Sequence, residues 1–208
     1  MTGPRFITFE GIDGAGKSTQ LAAAAAWLRA RGVEPLLTRE PGGTALGEAL
    51  RALVLAHPMT PLAELFLVFA ARAQHVAETI LPALREGRIV LCDRFTDASY
   101  AYQGGGRGLP DAWIGTLEAW THPVLVPDGT LLFDLAPEAA AARLHHGGRA
   151  PSDRFDREQV EFFVRVRAAY LERAAAAPER FVVVDAAEVP ERIGERVVEA
   201  LGRWIGAA

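Results

Sequence analysis

The feature that most constrains this chain is the spacing G-x-x-x-x-G-K-S from Gly11 to Ser18, set in the stretch Phe6-Ile7-Thr8-Phe9-Glu10-Gly11-Ile12-Asp13-Gly14-Ala15-Gly16-Lys17-Ser18-Thr19. An apolar, partly β-branched run, Phe6 to Phe9, precedes the glycines, and a strong helix-forming run, Leu21 to Leu28, follows them. Strand, glycine loop and helix in that order form a phosphate cradle. The glycines bring successive backbone N–H groups against phosphate oxygens, where a Cβ would intrude. Lys17 then reaches the β- and γ-phosphates, Ser18 is placed to ligate Mg²⁺, and the helix presents its positive end to the anion. The expected ATP-binding loop is therefore Gly11, Ile12, Asp13, Gly14, Ala15, Gly16, Lys17, Ser18 and Thr19.

Strand and helix signals alternate along the rest of the chain. Residues 34–38 read as a second strand leading into Arg39-Glu40, a pair that is either a solvated loop pair or part of a site, and then into Pro41-Gly42-Gly43, a tight turn, with Thr44 as N-cap of a helix to about Ala56. From Leu62 to Arg85 apolar residues recur at three- and four-residue spacing, the signature of a long amphipathic helix that Pro82 should kink. Arg72 falls at the edge of that apolar stripe, from where it can snorkel to water or reach into a cleft. Arg88 to Arg94 reads as a continuous apolar strand ending in Asp93-Arg94, so Asp93 is a candidate for Mg²⁺ and Arg94 for a second phosphate.

The glycine tract Gly104-Gly105-Gly106 is expected to be either a mobile loop or a close approach to a ligand. Pro110 is expected at the first position of a helix to about Trp120, with Trp113 and Trp120 in the core or a subunit interface. A fourth strand, residues 130–134, ends in Asp134, a rival for the metal role. After a helix to about His145 comes an arginine-dense segment, about 143–156, broken by glycines and a proline, which could close over a nucleotide. A helix over 158–177, a strand over 181–185 and a helix over 190–205 complete the chain. Five strands alternating with helices imply an α/β fold: a five-stranded parallel sheet flanked by helices on both faces, with ligands at the carboxyl ends of the strands.

At 208 residues, without a linker or repeat, one domain is expected. The net charge of −4 argues against a general nucleic-acid binder. Cys92 is the only cysteine, which excludes an internal disulfide, and its apolar setting reads as a buried thiol. The short lead from Met1 to the first strand leaves no room for a signal sequence, and no apolar run approaches a membrane span. A cytoplasmic enzyme is the expectation.

Five segments together resemble bacterial thymidylate kinase over nearly the whole chain: the run from Phe9 to Thr19, Thr38-Arg39-Glu40-Pro41-Gly42-Gly43-Thr44, Ala70-Ala71-Arg72, Asp93-Arg94-Phe95, and Ala101-Tyr102-Gln103-Gly104-Gly105-Gly106-Arg107-Gly108. That resemblance implies a P-loop nucleoside monophosphate kinase transferring the γ-phosphate of ATP to dTMP, with Mg²⁺, as a homodimer. It implies that Asp13 meets the deoxyribose 3′-hydroxyl, Arg94 the dTMP phosphate and Arg72 the thymine O4. Ser99, Tyr102 and Gln103 surround base and sugar, and Glu40 belongs to the same acceptor site. In the subclass with glycine at position 14, the transition-state arginine comes from the lid, where Arg149 and Arg154 stand. The family's thymine-stacking aromatic falls at Val68, so either Phe69 takes its place or stacking is weaker here. Two other readings are a kinase for a different small acceptor and a nucleotide-dependent switch.

Overall fold

The computed structural model describes residues 5–146, 154, 155 and 158–206. Five strands, β1 (Arg5–Glu10), β2 (Leu36–Arg39), β3 (Ile89–Asp93), β4 (Gly129–Asp134) and β5 (Phe181–Asp185), form one parallel sheet in the order β2-β3-β1-β4-β5. β2 begins at Leu36, two residues later than the composition suggests, because Pro35 lacks the N–H a ladder needs. The register sets Phe9 beside both Asp93 and Leu131, and Arg39 beside Asp93. Glu10, Arg39, Asp93 and Asp134 therefore share one edge of the sheet, the carboxyl ends of the strands.

The central strands are buried on both faces, as their apolar runs require. Ile7, Phe9, Leu91, Leu131 and Phe133 pack on one side with α1 (Lys17–Arg29), α8 (Val160–Ala176) and α9 (Pro190–Ile205). On the other side Phe6, Val90, Cys92 and Phe95 meet Val76 and Ile80. Thr44 caps α2 (Ala45–Ala56) by accepting a hydrogen bond from the Gly47 N–H.

The long helix expected over residues 62–85 is a composite. α3 (Pro61–His75) passes through a π-helical turn, Val76–Ile80, into α4 (Leu81–Arg85). The Leu81 N–H reaches back to the Val76 carbonyl, and this widened turn directly precedes Pro82, whose ring would otherwise press on the carbonyl four residues before it.

The glycine tract is neither a mobile loop nor a ligand cradle. After the short helix α5 (Thr96–Ser99), residues Tyr100–Gly106 form a second π-helical segment packed on α8. A Cβ on Gly105 would lie 2.6 Å from the Ala169 Cβ and 2.9 Å from the Arg165 carbonyl oxygen. These glycines let two helices touch. Pro110 is the N-cap of α6 (Asp111–Thr121) rather than its first residue, and Trp113 and Trp120 are exposed, not core. α7 (Pro137–His146) then crosses above the phosphate loop, its Ala140 carbonyl lying 2.7 Å from where a Cβ on Gly14 would stand.

Gly105→Ala should therefore lower stability by about 1–3 kcal/mol, since the obstructing atoms include backbone. A urea melt checks this, and an unchanged midpoint would show that the close approach is not required.

Candidate active site

The loop from Gly11 to Ser18 leaves β1 and enters α1. Gly11, at φ 132°, passes so close to β4 that a Cβ would stand 2.5 Å from the Phe133 carbonyl oxygen. Gly16 closes the loop in the left-handed region as the N-cap of α1. The Lys17 ammonium donates to the Gly11 and Ile12 carbonyls at 3.0 Å each. Burial, then the nearby Arg94 charge, draws its pKa down.

Directly beyond β3 the chain turns sharply. Arg94 is the only described non-glycine residue with positive φ, at 70°. This conformation is costly for a side chain with a Cβ, so the surroundings must over-determine it. The Arg94 N–H donates to the Phe9 carbonyl at 3.0 Å, and the next N–H, of Phe95, donates to Glu10 Oε1 at 2.6 Å. The Arg94 guanidinium donates to the Gly11 carbonyl (2.9 Å), the Tyr170 hydroxyl (3.1 Å) and Asp13 Oδ1 (2.8 Å), and lies over the Tyr102 ring. Tyr170 donates in turn to Glu10 Oε2 at 2.7 Å. Glu10 thus holds the turn from both ends. Its own burial, then the Asp97 charge, raises its pKa to about 8.

Arg72 does not snorkel. It is 1% exposed, donating through Nε to Glu40 Oε2 (2.7 Å) and through Nη2 to the Phe95 carbonyl (3.1 Å). Its guanidinium stacks on Phe69 at 4.5 Å. Glu40 also binds His75 Nδ1 (3.0 Å), and His75 Nε2 meets the Thr38 hydroxyl (2.6 Å). Burial works against the Glu40 charge, but the Arg72 guanidinium and His75 hold this carboxyl below its ordinary range.

These groups line one cavity of about 280 Å³, running from Asp13 and Ser18 past Asp93 and Arg94 to Arg72, Ser99, Tyr102 and Gln103. Glu40, Arg39 and Arg51 also face it. Four of its lining residues carry a buried polar atom without a partner: Arg72 Nη1, Asp93 Oδ1, Ser99 Oγ and the Tyr102 hydroxyl. Buried polar groups in native proteins are almost always hydrogen-bonded, so this concentration in one crevice marks a ligand site. The Asp93 carboxylate and Ser18 hydroxyl are oxygen donors suited to a hard divalent cation that keeps most of its waters and phosphate ligands. Asp134 is excluded as their rival, because Arg167 holds both its oxygens, at 2.6 and 2.9 Å.

Three site expectations need correction or lie beyond reach. Phe69 is not on the cavity wall; Val68 is, while Phe69 packs beneath Arg72 with Leu65 and Ile114. Helix periodicity decides this, since adjacent residues point about 100° apart and Arg72 shares its face with Val68, one turn before it. Arg154 is not at the phosphate loop either: its partners are Glu64 and the carbonyls of Val54 and Leu55. Arg149 lies outside the described residues. Glu10, Arg51, His75 and Tyr170 escaped sequence reasoning altogether. A charged residue closing an apolar strand beside the glycine loop would have flagged Glu10, and His75 stands three residues from Arg72 on the same helical face.

The phosphate loop, the basic turn after β3 and an acceptor-sized cavity between them define a P-loop kinase, in which a triphosphate and a small acceptor meet end to end. The comparisons agree. The family profile described as "Thymidylate kinase" matches residues 9–197. The "Thymidylate kinase" of Neisseria gonorrhoeae is 50% identical over 206 residues, covering 98% of each chain, and that of Ralstonia nicotianae is 57% identical over 197 residues, covering 93% of this chain and 95% of the other. The crystal structure of thymidylate kinase from Ehrlichia chaffeensis superposes with a TM-score of 0.77 at 34% identity, covering 96% of this chain and 99% of that one. The chain belongs to the thymidylate kinase family.

Glu10 makes stability depend on pH in a definite direction. Its folded pKa of about 8 lies above the ordinary 4.5, so the folded state holds a proton that the unfolded state releases. That contribution is complete below pH 4.5 and is lost as pH rises toward 8. Glu10→Gln removes the slope, so the difference in unfolding free energy between variant and wild type should shift in the variant's favour across this window. Denaturant melts at several pH values test this, and a constant difference would contradict it.

Proposed function

We propose that this protein transfers the γ-phosphate of ATP to dTMP, giving dTDP and ADP, a step of dTTP formation. The observation that carries the reading is the crevice that joins Asp13 and Ser18 of the phosphate loop to the unpartnered guanidinium nitrogen of Arg72. ATP would lie along the loop, its β- and γ-phosphates against the backbone N–H groups and Lys17. The dTMP phosphate would meet Arg94, in line with the γ-phosphoryl, where positioning and charge neutralisation do most of the work.

Recognition of the base rests on Arg72. Two of its nitrogens are already spent on Glu40 and the Phe95 carbonyl, which leaves Nη1 as a fixed donor. Arginine only donates, so this atom suits the O4 carbonyl of thymine and rejects the 4-amino group of cytosine. Ser99, Tyr102 and Gln103 enclose base and sugar, and Asp13 the 3′-hydroxyl side. With Val68 on the wall and Phe69 beneath it, base stacking from α3 is weaker than in relatives with an aromatic there. Mg²⁺ would be held by Ser18 and Asp93, and it supplies neutralisation of the phosphate charge. The remaining cation at the transferring group would come from Arg149 in the 143–156 lid of a single kinase domain.

We also infer a homodimer. Leu46 and Leu53 of α2, Phe66 of α3, and Trp113 and Trp120 of α6 are all exposed on helices that pack in sequence, α2 on α3 and α3 on α6, and exposed apolar side chains gathered on neighbouring helices suit a subunit interface. No helix among the described residues is long and apolar enough to cross a membrane. A cytoplasmic location fits the nucleotide substrates.

A coupled ADP-release assay with a panel of nucleoside monophosphates tests the reading. Turnover should require dTMP, and Arg72→Met should reduce the preference for dTMP over dCMP by about 10- to 100-fold. Release of ADP without any acceptor dependence would exclude a kinase, and preference for another monophosphate would exclude this one.

A further inference from the structure

Arg154 stands in an arginine-dense segment, yet its contacts belong to the acceptor end of the crevice. Its backbone N–H donates to the Leu55 carbonyl at 3.1 Å and its Nε to the Val54 carbonyl at 2.6 Å. Both carbonyls lie in the last turn of α2, where no intrahelical donor remains and the helix dipole is negative. α2 has no basic residue of its own in that turn. Arg154 supplies the missing cation.

Its Nη2 binds Glu64 on α3, a carboxylate with no exposed surface. Glu64 also accepts from Gln103 Nε2 at 2.7 Å and Arg107 Nε at 3.1 Å, and Arg107 reaches Glu158 at 2.5 Å. One buried carboxylate therefore joins α2, α3, the π-helical segment and residue 154. Phe155 is fixed by the same arrangement. It lies under the Arg154 guanidinium at 4.7 Å, stands edge-on to Tyr102 at 5.8 Å and 81°, and lines the cavity with Val54 and Leu55.

We propose that Arg154 is a positioning residue for the monophosphate: through Glu64 and the end of α2 it fixes Phe155 as a wall of the acceptor site, and it does not touch the transferring phosphoryl. The proposal rests on the dTMP kinase reading. Removing Arg154 frees this wall and leaves the phosphate loop intact. The loss therefore falls on dTMP binding.

The test is steady-state kinetics of the full chain, varying dTMP and ATP separately, for wild type, Arg154→Met, Glu64→Gln, the double variant and Phe155→Ala. Arg154→Met should raise the dTMP KM about tenfold, with kcat within about threefold and the ATP KM unchanged. Glu64→Gln should move the same parameter, and the double variant should fall short of the product of the two, because both act through one contact. Arg154→Lys, which keeps a charge for Glu64 but not the two-pronged grip, should fall between. If Glu64→Gln does not fold, as read from its thermal melt, Arg154→Met and Phe155→Ala decide the matter. A kcat loss of about 10³ or more at unchanged dTMP KM would put Arg154 on the phosphoryl group and overturn the proposal. Unchanged kinetics in Arg154→Met would overturn it equally. Wild-type enzyme without dTMP-dependent turnover would instead refute the functional reading beneath it.

Discussion

The site depends on one backbone turn held against its own preference. Arg94 occupies the left-handed region at φ 70°, a cost of roughly 1–3 kcal/mol that only a rigid frame can sustain. The frame is the sheet itself: β1 supplies the Phe9 carbonyl and the Glu10 carboxyl group, which receive the N–H groups of Arg94 and Phe95. With the backbone in this conformation the guanidinium lies across the phosphate loop, on the Gly11 carbonyl and Asp13. An ordinary extended continuation of β3 would send it along the strand.

Buried carboxylates fix arginines at the crevice and elsewhere in the fold. Arg72 is fixed by Glu40, Arg107 and Arg154 by Glu64, and Arg173 and Arg180 by Asp97, with all three carboxylates almost wholly buried. Buried ion pairs give up hydration and contribute little net stability, whereas losing one partner costs about 3–5 kcal/mol. Their value here is geometric. An arginine whose Nε and one Nη are engaged presents the remaining nitrogen in a fixed direction, so donors are in place before a substrate arrives.

Much of this was legible in the amino-acid sequence, for a physical reason. The phosphate loop, the Asp93-Arg94 pair and the five strand–helix alternations depend on local rules: glycine where a Cβ cannot fit, apolar runs where both faces are covered, and charge where a strand leaves the sheet. What was not legible depends on which distant residue arrives at a given point. Whether Arg72 lies in water or in a cleft is decided by Glu40, thirty-two residues away, and by the Phe95 carbonyl. The glycine tract of 104–106 looks like a loop until α8, some sixty residues later, packs against it. Arg154 had the chemistry of a transition-state cation, but the end of α2 and Glu64, 90 residues away in sequence, fix its position.

The meeting of two anions at Arg94 is tested most directly by a crystal structure with dTMP and a non-hydrolysable ATP analogue bound together. The dTMP phosphate should lie within about 3 Å of the Arg94 guanidinium, with the base carbonyl on Arg72 Nη1 and the γ-phosphate on Lys17. A dTMP phosphate bound elsewhere, with Arg94 still turned onto Asp13 and the Gly11 carbonyl, would contradict it.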